Sequence, residues 1–355
     1  MRQSPRFLQM QTGWNAVSID LKQLSARLGL SQTTVSRALN GYTDVSAKTR
    51  ERVAQMAQEL GYQPNSAARR LARGQADAVG IVYPLEAGDL GDPNFLFVVE
   101  GMSERLEAED MDLLIASARS HAELRTYDRL LRGGRVDGVI VARTQVEDAR
   151  IDYLRTAGFP FVAYGRTGRC DDFSWFDFDN EAGGAMAVRE LVRLGHRDIA
   201  CVLAPQHLNF AAQRRAGFLR ALSEAGLPVR AEAVIETGLS RRAGYEAAQC
   251  LLALSPRPTA IFVDDNLCGI GVVRALLDQR VEIGRDISVI VYDGVPPDTL
   301  LVGQSVAAIE QPTAHEAGRT LADMLLRVIR QPDAPPQQVL RQPVFVGGSS
   351  VGPAP

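Results

Sequence analysis

Between residues 20 and 61 the apolar positions come in three short bursts at helical spacing: Leu21, Leu24 and Leu28, then Val35, Ala38 and Leu39, then Val53, Met56, Ala57 and Leu60. Each burst has a polar residue suited to cap it, Asp20, Ser31 and Ser46 in turn, and Gly29 and Gly61 stand where a helix stops in the left-handed conformation. The pattern predicts three short helices. From residue 78 it changes to brief apolar runs rich in β-branched residues that alternate with helical stretches. AVGIVYP, MDLLIAS, DGVIVA and FPFVAYG read as strands of one group, and DIACVLA, AVIETG, AIFVDD and ISVIVYDG as strands of a second. Helices are expected between them, among them 180–194, 212–225 and 314–329. This is the pattern of two doubly wound parallel-sheet lobes, with a cleft at the carboxyl ends of their strands.

The second short helix carries an unusual polar face. Gln32, Thr33, Ser36, Arg37 and Asn40 fall opposite its apolar stripe, with no Glu or Lys among them. Two short helices joined by a tight turn, with a third across them, form the helix-turn-helix plan, whose second helix enters the DNA major groove. Gln can bond adenine at two atoms, Arg can do so to guanine, and Thr offers a methyl to thymine. The competing reading is an ordinary solvated helix face.

Charge separates the two parts. Residues 1–75 hold 11 Lys/Arg against 4 Asp/Glu, and residues 76–355 hold 28 against 38, so a head of +7 is joined to a body of −10. Only the head is suited to a polyanion. Cys170, Cys201, Cys250 and Cys268 have no metal-site or disulfide spacing and are expected as core thiols in a reducing compartment. Neither a membrane span nor a signal peptide is evident, so a cytoplasmic protein with no membrane partner is expected. Residues 1–16 show no periodicity and are expected to form a disordered extension.

These residues carry a resemblance. The stretch from Ile19 to Gly74, with SxxTVSRxLN, VSxxTRxxV and GYxPNxxAxxL, resembles the DNA-binding head of the LacI/GalR (lac-repressor) family of bacterial transcription regulators. The resemblance implies base-reading roles for Gln32, Thr33 and Arg37. It implies phosphate contacts by Ser31, Thr34, Ser36, Asn40, Lys48 and Thr49. At Asp20 the family often has Thr or Asn. Tyr62 to Asn65 begins the family's hinge, in which a short helix forms on DNA. That implies minor-groove roles for Asn65, Ala68 and Leu71, the last as an apolar wedge between base pairs. A plain linker is the competing reading.

No GxGxxG or P-loop follows a predicted strand, and no metal or triad constellation can be assembled from the four His, so neither a cofactor nor an enzyme activity is expected. His196, in LVRLGHRDIA, is expected to be structural. The body resembles the family's effector domain, itself similar to periplasmic sugar-binding proteins, through GHRDIACVLAP, RPTAIFVDDNLCGIGVVRAL and GRDISVIVYDG. The resemblance implies that Phe210, Arg214, Leu239, Asp265 and Asp293 line a ligand cleft, with Phe95 and Arg166 on the other lobe. Carboxylates and guanidinium groups suit paired sugar hydroxyls, and apolar walls suit ring faces. Alternatively Phe95 and Phe210 are core aromatics, and Asp265 and Asp293 are helix caps. The loop PLEAGDLGDPNF, RVDGVIVARTQVEDARI and FDFDNE are similar to the α-glucoside-responsive branch.

The expected architecture is therefore an all-α helix-turn-helix head plus an α/β bilobed, periplasmic-binding-protein-like body. The extension covers 1–16, the DNA-binding domain 17–63, the hinge helix and linker 64–75, and the effector-binding and dimerisation domain 76–355. A homodimer binding a near-palindromic operator, controlled by a small carbohydrate, is the reading. Its rivals are a transporter's solute-binding protein, a sugar-acting enzyme and a regulator responding to a non-sugar metabolite.

Overall fold

A computed structural model describes residues 19–62, 74–83, 93–118, 122–296, 304–311 and 313–355. The expected extension and the hinge residues Asn65, Ala68 and Leu71 lie outside these residues. The chain divides into two compact units, Met1–Gly74 and Gln75–Pro355.

In the head, α1 (Leu21–Leu28), α2 (Gln32–Leu39) and α3 (Ala47–Glu59) form where the apolar bursts lie. Asp20 and Gln23 make a reciprocal capping box, the Asp20 carboxylate accepting from the Gln23 N–H at 2.7 Å. Ser31 and Ser46 accept from the N–H groups of Thr34 and Thr49 at 3.1 and 3.2 Å. Leu24, Leu28, Val35, Ala38, Val45, Val53 and Ala57 close into one core. Arg52 belongs to the structure rather than to a ligand face: its guanidinium donates to the carbonyl of Leu28 at 2.7 Å and fixes α3 against the end of α1.

The body holds two six-stranded sheets. The first contains β1 (Ala78–Tyr83), β2 (Asp112–Ser117), β3 (Gly138–Val141), β4 (Phe161–Tyr164), β5 (Trp175–Phe178) and β11 (Gln338–Arg341), in the order β11-β5-β4-β3-β1-β2. The second contains β6 (Ile199–Leu203), β7 (Val234–Glu236), β8 (Ala260–Val263), β9 (Ser288–Tyr292), β10 (Ala307–Glu310) and β12 (Val344–Val346), in the order β12-β10-β9-β8-β6-β7. All pairings are parallel except β10 with β12. Each sheet has an apolar core on both faces, as helices on both sides require. The eight strands read from the sequence are present. β5, β10, β11 and β12 were not anticipated; β11 and β12 are at sheet edges with mostly exposed residues, and β5 and β10 lie inside their sheets.

The chain changes lobe three times. It leaves the first sheet after β5, entering α7 (Asn180–Arg193), and returns after β10 through α11 (Ala314–Arg330), which packs on α4 (Pro93–Glu107). It crosses again between β11 and β12. Helix α7 lies directly on α8 (Asn209–Glu224) because both carry glycine at the crossing. A Cβ at Gly184 would sit 2.2 Å from the Arg214 carbonyl oxygen, and one at Gly217 would sit 1.9 Å from that of Glu181. The helix starting at Asn209 begins three residues before the expected Ala212, so Phe210 lies in its first turn.

His196 is buried in the turn before β6. Its Nδ1 lies 2.9 Å from the Thr259 hydroxyl, and its Nε2 lies 3.0 Å from that of Ser288 and 3.1 Å from the Gly352 carbonyl. Burial holds the imidazole below its usual pKa, so it clamps the C-terminal tail as a neutral ring. The cysteines depart from expectation. Cys201 and Cys268 are buried, but Cys170 is half-buried and Cys250 is exposed, on a helix face that the apolar pattern does not cover.

Candidate functional site

On α2, Gln32, Thr33 and Arg37 are exposed together on the side away from the core. Several of the other head positions take part in helix ends. The hydroxyls of Ser31 and Thr34 are 2.8 Å apart, those of Ser46 and Thr49 likewise, and Asn40 donates from Nδ2 to the Ser36 carbonyl at 2.8 Å. Lys48 is exposed in the first turn of α3. The Ser31–Thr34 and Ser46–Thr49 pairs are thereby fixed at helix N-termini, where phosphate oxygens are favoured, whereas Asn40 caps the C-terminal end of α2.

In the body, the seven cleft residues singled out in the sequence come together in one cavity between the lobes: Phe95, Arg166, Phe210, Arg214, Leu239, Asp265 and Asp293. Most of them follow the carboxyl ends of β4, β8 and β9 or lie on the first turns of α4 and α8. Phe95 serves two roles: it is buried in the first lobe's core, its ring centroid 4.0 Å from that of Tyr83, and it still faces the cavity. Asp265 does so as well, since it caps α10 (Asn266–Asp278) by accepting from the Cys268 N–H at 3.0 Å.

Arg214 is the hub. It is 4% exposed, so each donor needs a partner. Its Nε donates to Asn180 Oδ1 at 2.9 Å, its Nη1 donates to the Asp264 carbonyl, and its Nη2 stands 3.8 Å from the Asp293 carboxylate. The guanidinium also lies over the rings of Phe210 and Tyr292, at 4.7 and 3.3 Å from their centroids. Across the cleft, Arg166 donates from Nε to Asp177 Oδ2 at 2.8 Å, and Asn180 donates to Asp177 Oδ1 at 3.2 Å. A continuous chain of polar contacts therefore runs from Arg166 in one lobe through Asp177 and Asn180 to Arg214 in the other. Burial raises the Asp177 pKa while Arg166 opposes the shift. No group of three or more His, Cys, Asp or Glu among the described residues is arranged to hold a metal ion.

Two family models match this chain. Residues 21–65 match "Bacterial regulatory proteins, lacI family", and residues 76–347 match "Periplasmic binding proteins and sugar binding domain of LacI family". The chain belongs to the LacI family. It is 40% identical to the HTH-type transcriptional regulator RafR of Escherichia coli, over 94% of this chain and 98% of that protein. Among solved structures, the lac repressor dimer bound to operator and the anti-inducer ONPF aligns with a TM-score of 0.81 at 25% identity, covering 94% of this chain and 99% of that one. The complex of the transcriptional regulator CelR with cellobiose aligns at 0.71 and 28%, with the same coverages. This LacI-family chain is thus a DNA-binding transcriptional regulator with a sugar-binding domain, and not an enzyme.

Sequence reasoning missed several groups in this LacI-family body. The lobes are clasped by backbone. Asn209 N–H donates to the Thr144 carbonyl at 2.9 Å, and Val146 N–H donates to the His207 carbonyl at 3.0 Å, an antiparallel bridge between segments of opposite lobes. The lobe-one half of the clasp is held by a buried ion cluster. Arg150 grips Asp148 with Nε and Nη2 at 2.8 and 2.6 Å, reaches Glu123 at 2.5 Å and donates to the Arg143 carbonyl at 2.8 Å. Such a cluster fixes loop geometry more than it adds stability. The only available signal was the density of charge in ARTQVEDAR.

Asp264 was also missed. Its Oδ1 accepts from the Ala204 N–H at 2.8 Å, its Oδ2 has no partner among the described residues, and burial pushes its pKa up to about 8, with Arg214 opposing and Asp265 adding. The folded carboxyl therefore keeps a proton that the unfolded one releases near pH 4. Stability conferred by that proton is lost as pH rises from about 4 toward 8. Asp264→Asn should then melt ever further above the native chain as pH is raised from 5 to 8. A melting-temperature gap that stays constant or narrows would show that Asp264 is ionised in the fold.

Proposed function

We propose that this regulator is a repressor that acts in the cytoplasm as a homodimer on a near-palindromic operator, and that a small carbohydrate, an α-glucoside by its sequence resemblance, fills the cleft and changes operator affinity. The observation that carries the reading is the composition of the cleft. Paired charges from both lobes, Arg166 with Asp177 and Arg214 with Asp293, stand beside the aromatic faces of Phe95 and Phe210. Polyols need both directional bonds and flat apolar walls. The exposed Gln32, Thr33 and Arg37 supply base contacts, and Ser31, Thr34, Ser36, Asn40, Lys48 and Thr49 supply phosphate contacts. Asn65, Ala68 and Leu71 act in the minor groove. The CelR complex with cellobiose supports a saccharide as ligand of this body plan.

A thermal-shift screen of the full chain tests it, using maltose, sucrose, trehalose, cellobiose and ribose beside purine bases and amino acids. A saccharide at a hundred times its dissociation constant adds about 2.7 kcal/mol of apparent stability. Stabilisation by purines or amino acids and by no saccharide would contradict the proposal.

The clasp gives a second test. Leu208 has φ −77 and ψ 127, an extended conformation that suits the residue before proline, and Asn209 is the first residue of α8, where proline is tolerated. Asn209→Pro should therefore remove the inter-lobe hydrogen bond without breaking the helix. Loss of about 1 kcal/mol should change effector affinity about fivefold, well beyond the change in Asn209→Ala. Equal titrations for the two variants would show that the bond does not contribute to closure.

A further inference from the structure

The recognition helix ends in a turn that holds its own arginine. Arg37 Nη2 lies 2.7 Å from Asp44 Oδ2, and its guanidinium stands 5.2 Å from the centroid of the Tyr42 ring. The turn itself is well anchored. Tyr42 N–H donates to the Arg37 carbonyl at 3.1 Å, and Arg50 and the Val45 N–H both donate to the Tyr42 carbonyl, at 3.1 and 3.3 Å. Val45 is buried in the head's core, and Gly41 takes the left-handed conformation, φ 72, that starts the turn. Asp44 is thus presented to Arg37 by a fixed piece of backbone.

Stability does not explain this pair, since both side chains are about half exposed, at 47% and 48%, and exposed ion pairs contribute little. Electrostatics argues against a carboxylate here, because an acid on the face of a basic head repels phosphate. We propose that Asp44 is a positioning residue for base recognition: it holds one edge of the Arg37 guanidinium, with Tyr42 beneath, so that the remaining donors meet a single base in one orientation. A guanidinium fixed before binding loses less rotamer freedom on docking and cannot swing to a phosphate or a neighbouring base. The acid therefore lowers non-specific affinity and raises discrimination. The proposal rests on Arg37 as a base-reading residue.

Site selection from a randomised duplex library with the full chain, followed by affinity measurements on the selected and a scrambled duplex, tests it with Asp44→Asn, Arg37→Ala and the double variant. Melting curves confirm that each variant folds. Asp44→Asn should relax the same base position that Arg37→Ala relaxes, should reduce the ratio of selected to scrambled affinity about fivefold, within the range of one base contact, and should add nothing in the Arg37→Ala background. An equal gain on both duplexes would make Asp44 a repulsive charge only, and an unchanged motif would remove its role; either overturns the proposal. A motif that survives Arg37→Ala would instead overturn the base-reading role of Arg37 itself, and the proposal with it.

Discussion

Replacing Arg37 by alanine should cost the protein about 1–3 kcal/mol of discrimination between its selected site and scrambled DNA, while binding to both remains strongly salt-dependent. Arg37 is exposed on the outer side of a helix whose inner side is fixed by Val35 and Ala38. Its removal therefore leaves the head folded. The groups proposed to contact phosphate at the N-termini of α2 and α3 stay in place and should continue to supply the non-specific term. Fluorescence anisotropy with the two duplexes at several salt concentrations checks the outcome. Equal discrimination by variant and native chain would remove Arg37 from base recognition.

Replacing Asp293 by asparagine should shift the effector response to roughly ten to a hundred times more saccharide and spare DNA binding. Asp293 lies in the left-handed region, φ 63, at the end of β9, where asparagine is tolerated and alanine is strained. The substitution keeps the side chain's shape and removes its charge beside Arg214. A charge-assisted hydrogen bond to a ligand hydroxyl contributes about 1.5–3 kcal/mol, so saccharide affinity should fall roughly tenfold to a hundredfold. Titration calorimetry with the saccharide that stabilises the native chain, beside anisotropy with the selected duplex, separates the two effects. Simultaneous loss of both would indicate a folding defect, and unchanged saccharide affinity would place Asp293 outside the binding set.

What could be read from the sequence depended on whether the signal was local. The head's helices were legible because a helix announces itself within one turn of its cap, as with Asp20 and Gln23, and because the stripe of Val35 and Ala38 repeats at short spacing. The eight strands read from the sequence were legible as apolar runs bounded by turns. β5 and β10 to β12 were not: β11 and β12 are short edge strands with mostly exposed residues, while in β5 and β10, inside their sheets, the apolar run is broken by Asp177 or limited to Ala307–Ile309. The resemblance supplied the cleft residues, and the geometry joined them. Partners such as Arg166 with Asp177, or Arg214 with the carbonyl of Asp264, are separated along the chain and have no periodicity to reveal them. The clasp of Thr144 and Val146 with His207 and Asn209 is made by backbone, which any side chain could carry. The Arg37 and Asp44 pair falls seven residues apart across a turn that starts at Gly41, outside the spacing at which helical charge pairs are recognised.

Coupling between cleft and head is directly measurable through linkage: a ligand that changes operator affinity must itself bind differently when DNA is present. The decisive measurement is anisotropy of the selected duplex with the full chain, with and without a saturating concentration of the saccharide that raises its melting temperature. A change in DNA affinity of at least about tenfold is predicted, corresponding to a coupling of about 1.4 kcal/mol, and Asp293→Asn should need roughly ten to a hundred times more saccharide to reach it. An unchanged DNA affinity at saturating saccharide would contradict the account.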